Sequence, residues 1–149
     1  MKLEMRKIPE SEPEMMEIRY HWVTDEIREI VSFVKSRQGQ LSATRDGKRF
    51  EVPVVDLFYA ESVDDRVFLY TASDSYEIRM KLYELEDLLK NKSFLRISKS
   101  MIVNLMKISS VRPALNGRFS AVLKNGEEII ISRKYVPALK QTLKGGDCR

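Results

Sequence analysis

The sequence predicts a mainly β fold with short helices, of the α+β class, preceded by a small strand–strand–helix unit. Three observations carry that prediction. Asn116-Gly117 and Asn125-Gly126 each stand between alternating apolar runs, a strong local signal for a hairpin. Apolar residues from residue 45 onward fall in short runs bounded by turn residues. Helical periodicity is confined to three brief stretches, near 24–36, 82–90 and the closing RKYVPALKQTL.

Taken in order, MKLEMRKI (1–8) and MMEIRYHWV (15–23) alternate Leu3 and Met5, then Met16, Ile18, Tyr20 and Trp22, and predict two short strands. The linker PESEP suits a solvated loop. Thr24 caps a helix whose first turn holds Asp25 and Glu26, where the helix dipole favours negative charge. Ile27, Ile30, Val31 and Val34 form one apolar face through about Ser36, and Gly39 ends the helix. RDGK (45–48) is a turn. FEVPVVDLFYA (50–60) is extended, with Pro53 confining that part to an edge or a bulge because it lacks an N–H. ESVDD (61–65) leads to the strand RVFLYT, and ASDS turns into YEIRM. LYELEDLLK is a short amphipathic helix. FLRIS, SMIVNL, KISSVRP, RFSAVL and EEIIIS follow as strands. Pro137 requires the last helix to start near Val136 or to kink.

A length of 149 residues suits one domain with a small attachment, divided here into an accessory unit, 1–44, and a β domain, 45–149. With 43% apolar and 32% charged residues the chain is expected to be globular and soluble. Cys148 is the single cysteine, so no internal disulfide forms, and the absence of an apolar leader points to a cytoplasmic protein. No apolar run approaches the ~20 residues of a membrane helix. One histidine, His21, and one cysteine make no nitrogen–sulfur metal cluster. Phosphate-binding, dinucleotide-binding and nucleophile-elbow motifs are absent. Asp64-Asp65 and Glu127-Glu128 read as solvated acids. The sequence therefore offers no case for an enzyme, a metal, a cofactor or a small-molecule substrate.

Charge is unevenly laid out. Residues 1–44 carry a net −1, residues 45–87 a net −5, and residues 88–149 a net +10. Between Asp87 and Glu127 there is no acid, but there are Lys90, Lys92, Arg96, Lys99, Lys107, Arg112, Arg118 and Lys124. A positive field without local counter-charge points to an anionic partner, nucleic acid first.

Within this run lies FLRISKSMIVNL (94–105). It follows the helix LYELEDLL and precedes the Asn-Gly hairpin and LKNGEEIIISRKYVPALKQTL (123–143). In this order and spacing the segments resemble the LytTR family of bacterial DNA-binding domains, over about residues 45–144. The whole chain is similar to a stand-alone subgroup of that family. The resemblance implies small antiparallel sheets with short helices, and loops that enter successive major grooves of double-stranded DNA at repeated sites. Three loops are implied. The first, about 61–66, gives Asp65 and Arg66. The second gives Ser98, Lys99 and Ser100, and the third gives Arg133 and Lys134. Many members carry His-Arg or His-Asn where this chain has Ser98-Lys99.

Strand alternation puts Leu95 and Ile97 toward the core and Arg96 and Ser98 outward. The hydroxyls suit phosphate oxygens, and Lys99 reaches a phosphate or a guanine edge. Arg133 offers a guanidinium fork to guanine; the alternative is a surface ion pair with Glu127 or Glu128. Arg96 either braces the strand or contacts phosphate. The expected function is a sequence-specific transcriptional regulator. The alternative is a protein-interaction module in which the N-terminal unit binds a regulatory partner, a small membrane protein acting as inhibitor. RNA binding is weaker, for want of an aromatic pair on adjacent strands. The face Ile27, Ile30, Val31 and Val34 needs cover from the β domain or from a second subunit, and a homodimer is expected.

Overall fold

Gln40 begins a succession of strands that ends at Ile131, and they divide between two sheets in which every pairing is antiparallel. The computed structural model describes residues 1–90 and 92–144; Cys148 lies outside them. The larger sheet contains β1 (Gln40–Arg45), β2 (Lys48–Pro53), β3 (Tyr59–Val63), β4 (Arg66–Tyr70), β5 (Ser75–Ile78), β6 (Phe94–Arg96) and β7 (Met101–Asn104), in the order β2-β1-β5-β4-β3-β7-β6. The smaller contains β8 (Ile108–Pro113), β9 (Phe119–Leu123) and β10 (Glu128–Ile131), in the order β10-β9-β8. Among the described residues three α-helices accompany them: α1 (Asp25–Gln38), α2 (Leu82–Leu88) and α3 (Val136–Lys144). The mainly β fold with short helices is the one the sequence predicts.

The larger sheet has a core on each face, set by the two-residue period of its strands. Ala60 and Ile102 turn to one side, where Leu57, Leu69 and Val67 meet Leu82, Leu85 and Leu89 of the α2 segment. Tyr59 and Val103, one residue along, turn to the other. There they meet Ala121, Leu123, Ile129 and Ile131 of the smaller sheet, and Val136 and Leu139 of α3. Each fully buried leucine or isoleucine contributes about 1.5–3 kcal/mol of transfer free energy. Tyr59 also ties the sheets by polar contact. Its hydroxyl donates to Glu127 Oε2 at 2.9 Å, and its ring stacks on Tyr70 at 4.5 Å between centroids. Burial pushes the Tyr59 hydroxyl well above its ordinary pKa, and the bond to Glu127 adds to this.

Asn104, inside the FLRISKSMIVNL motif, is buried for a structural reason. Its Nδ2 donates to Leu57 O at 2.8 Å, and its Oδ1 accepts from Met106 N at 3.0 Å. A buried amide with both ends satisfied fixes the end of β7 to the link before β3.

Thr24 caps α1 as expected, its Oγ1 accepting from Ile27 N at 3.3 Å, and Gly39 ends the helix at φ +98°. The helix lies against β2 and the 3-10 turn Val54–Asp56, held by Lys35 Nζ at 3.1 Å from Asp56. Its apolar face is divided. Ile27 is buried against the chain itself, Ile30 and Val34 are half-buried, and Val31 is exposed.

Three expectations need correction. Residues 1–24 contain no strand. Alternation is present, but no ladder partner is, and a lone two-stranded hairpin is marginal in water. Leu3 is 87% and Trp22 80% exposed as a result. FEVPVVDLFYA is not one extended run: Pro53 closes the edge strand β2, and the turn Val54–Asp56 carries the chain across to β3. The larger sheet begins at Gln40, ahead of residue 45, because β1 pairs with both β2 and β5.

Candidate nucleic-acid interface

Ile97, fully buried, follows β6 directly, and after the three residues 98–100 Met101 begins β7. Ile97 N donates to Met101 O at 3.0 Å and closes the link Ser98-Lys99-Ser100. Within it, Ser98 Oγ accepts from Ser100 N at 3.2 Å and lies 3.4 Å from Ser100 Oγ. These local bonds fix the loop in one shape.

Arg96 completes the support. Its Nε donates to Ser98 O at 2.7 Å, one terminal nitrogen to Lys99 O at 2.5 Å, and the other to Glu86 Oε1 of α2 at 2.8 Å. The side chain is only 18% exposed. Of the two roles the sequence leaves open, these contacts are those of a brace: two of the guanidinium nitrogens donate to the loop's own carbonyls and the third to Glu86. Lys99, in contrast, is exposed and forms no ion pair with a described residue.

The neighbouring connections are sewn to this loop by backbone bonds. Ser62 N, on β3, donates to Ser100 O at 2.7 Å. Ser132 N, after β10, donates to Ile97 O at 2.8 Å. The β3–β4 turn, the 98–100 loop and the β10–α3 link therefore stand side by side, which sequence spacing alone does not reveal.

At the β3–β4 turn, Val63 pairs with Arg66, and Asp64 and Asp65 occupy the left-handed region at φ 51° and 64°. That is the twist a two-residue hairpin demands, and aspartate tolerates it. Arg66 is thus the first residue of β4, exposed, with Nε 3.9 Å from Glu77. This ion pair is long and solvent-screened, so it restrains Arg66 little.

At the third connection, Arg133 and Lys134 are exposed on the 3-10 turn Arg133–Tyr135, just ahead of α3. Lys134 Nζ lies 5.6 Å from the Tyr135 ring centroid. The alternative partners for Arg133 are engaged elsewhere: Glu127 with Tyr59 and Asn125, Glu128 with Arg112 at 3.4 Å. Arg133 forms no ion pair among the described residues. Among those residues there is also no group of His, Cys, Asp and Glu placed to hold a metal, and no helix long and apolar enough to cross a membrane.

The antiparallel β scaffold thus presents exposed cations on short braced loops between strands. A family model described as LytTr DNA-binding domain matches residues 47–144, and the chain belongs to this family of DNA-binding domains. It is similar to the sensory transduction protein LytT of Bacillus subtilis (strain 168), with 32% identity over 92 residues, 62% of this chain and 38% of that protein. It is similar also to the transcriptional regulatory protein YpdB of Escherichia coli (strain K12), with 30% identity over 104 residues, 69% of this chain and 43% of that protein. The chain thus spans about two fifths of the length of these relatives. Among solved structures, the LytTr DNA-binding domain of a Bacillus cereus response regulator superposes with a TM-score of 0.67 at 25% identity, covering 70% of this chain and 96% of that one.

Proposed function

We propose that this chain is a sequence-specific transcriptional regulator that reads repeated DNA sites through loops in successive major grooves. The observation that carries the reading is the row of three connections, joined by the Ser62–Ser100 and Ile97–Ser132 bonds, with Lys99, Arg133 and Lys134 exposed and unneutralised along it. Lys99 and Arg133 are the base readers, since one reaches out from a rigid turn and the other carries the fork that matches guanine O6 and N7. Lys134, Arg66 and the hydroxyl of Ser100 face phosphates, and Ser98 and Arg96 hold the loop in place. Asp64 and Asp65 mark the acidic end of the row and limit how closely it approaches the backbone.

The chain acts in the cytoplasm as a homodimer, matching two copies to a repeated site. The exposed Leu3, Met5, Met16, Tyr20 and Trp22, with Val31 of α1, supply the contact. The same exposed segment supports a second reading, in which it docks a regulatory partner such as a small membrane protein. Sedimentation equilibrium separates the two: a dimer lost on removing residues 1–23 favours the second copy, and a monomer throughout favours the partner. Selection from random duplex DNA by the purified protein tests the main reading. A repeated motif is expected; recovery of no motif at any salt concentration contradicts it.

A further inference from the structure

The hairpin tip between β8 and β9 reads in the sequence as a turn and nothing more. In the structure it is closed at its base, where Ala114 N donates to Arg118 O at 2.8 Å. Asn116 and Gly117 sit in the left-handed region at φ 62° and 75°, the conformation an Asn-Gly turn demands. The tip is therefore a rigid object, and its place in the sheet decides what it touches.

In the β9–β10 ladder, Phe119 stands opposite Ile131. Continuing that antiparallel register by one and two residues sets Arg118 across from Ser132 and Gly117 across from Arg133. The side chains agree. A Cβ built on Gly117 meets Arg133 Cδ at 2.8 Å and Cγ at 3.1 Å, so the aliphatic stem of Arg133 lies across the bare glycine. The tip stands next in the row after the β10–α3 link.

Arg118 differs from cations in this small sheet and on the neighbouring α3. Arg112 pairs with Glu128 at 3.4 Å, and Lys140 lies 5.5 Å from the Phe119 ring centroid. Arg118 is exposed, and no described carboxylate is within ion-pairing distance of it. Its Nε donates to Leu115 O at 3.2 Å, which anchors the near side of the guanidinium to its own tip. Its two terminal nitrogens have no hydrogen-bond partner among the described residues, which suits a tetrahedral phosphate.

We infer that the 114–118 tip is a fourth DNA contact, in which Arg118 binds a backbone phosphate and Gly117 sets the direction of Arg133. This rests on the DNA-reading function above. The ligand is a phosphodiester flanking the base that Arg133 reads. Arg118 supplies charge without sequence information. Gly117 acts as a positioning residue: by letting Arg133 lie flat, it reduces the rotamers lost when the fork meets its base.

The test uses the full chain and a duplex bearing the selected motif, with affinities measured across a salt series and a panel of single base changes. Arg118→Ala is expected to weaken binding to all sequences alike and to lower the slope of log K against log salt by about 1, with Arg118→Lys restoring the slope. Gly117→Asn keeps the left-handed backbone accessible but adds the Cβ that meets Arg133. It is expected to relax discrimination at the single position that Arg133→Ala relaxes, and to add nothing in the double variant. If Arg118→Ala keeps the wild-type slope while Arg133→Ala still relaxes its position, the fourth contact is overturned and the three-loop reading stands. If Gly117→Asn discriminates like wild type, the positioning role is overturned. If neither Arg118→Ala nor Arg133→Ala changes anything, the three-loop reading falls with it.

Discussion

The guanidinium of Arg96 donates to the backbone carbonyl of Lys99 at 2.5 Å, so one cation holds up the peptide that presents another. The same guanidinium reaches Ser98 O and Glu86, joining the loop to α2. The loop is therefore built in two layers: a half-buried arginine that shapes it, and an exposed lysine that the arginine leaves turned to solvent.

Replacing Arg96 by lysine should be far from conservative, because an ammonium cannot serve three acceptors in a fixed plane. Charge-assisted bonds contribute about 1.5–3 kcal/mol each, and partial compensation by water places the expected loss near the lower figure. Urea denaturation of Arg96→Lys against wild type checks this. Glu86→Gln should cost less, since the two bonds to loop carbonyls remain.

Ile97, fully buried immediately before the loop, anchors it to the second core. Ile97→Val should cost about 0.5–1.5 kcal/mol and Ile97→Ala about 2–5 kcal/mol. The alanine variant should also weaken DNA binding, because the cavity loosens the end of β6 on which Arg96 sits. Parallel denaturation and binding titrations measure both effects.

Alkaline pH should destabilise the protein by way of Tyr59. Its hydroxyl keeps its proton more tightly in the folded chain, through burial first and the bond to Glu127 second. A folded pKa raised above the unfolded value of about 10 means that this stabilisation is complete below that value and fades as pH rises past it. Stability measured from pH 8 to 11.5 should fall steeply above pH 10 for wild type and less steeply for Tyr59→Phe. At neutral pH that variant should lose about 1 kcal/mol for the hydrogen bond.

The N-terminal segment makes a separate prediction. With Cys148 replaced by serine, mixing Leu3→Cys chains with Tyr20→Cys chains should give a disulfide between chains if the segments associate across the dimer. Non-reducing electrophoresis shows the product, and a mixture that stays monomeric under oxidation argues against pairing of these segments.

Much of this architecture was legible in the chain. Asn116-Gly117 and Asn125-Gly126 marked the hairpins of the small sheet, and Thr24 and Gly39 marked the ends of α1, because these signals are local. What failed or stayed hidden was non-local. Leu3, Met5, Met16 and Ile18 alternate as strands do, yet alternation does not supply a partner ladder. Arg96 sits at an outward position in the alternation, but the outward face here is the one α2 covers, so its guanidinium turns inward to Glu86 and the loop. The approach of Gly117 to Arg133 depends on the β9–β10 register, which hairpin signals imply only once the ladder is extended past its last pair. The Ser62–Ser100 and Ile97–Ser132 bonds join residues far apart in sequence, so the side-by-side row of connections was invisible to spacing.

The most direct test of the central claim compares wild type, Lys99→Ala and Arg133→Ala in selection from random duplex DNA, followed by affinity measurement on the selected site. The account predicts that each alanine relaxes a different position of the motif and costs about 1–3 kcal/mol there, with the rest of the motif retained. If both variants select the wild-type motif with wild-type affinity, these loops do not read the bases, and the row of connections has another use.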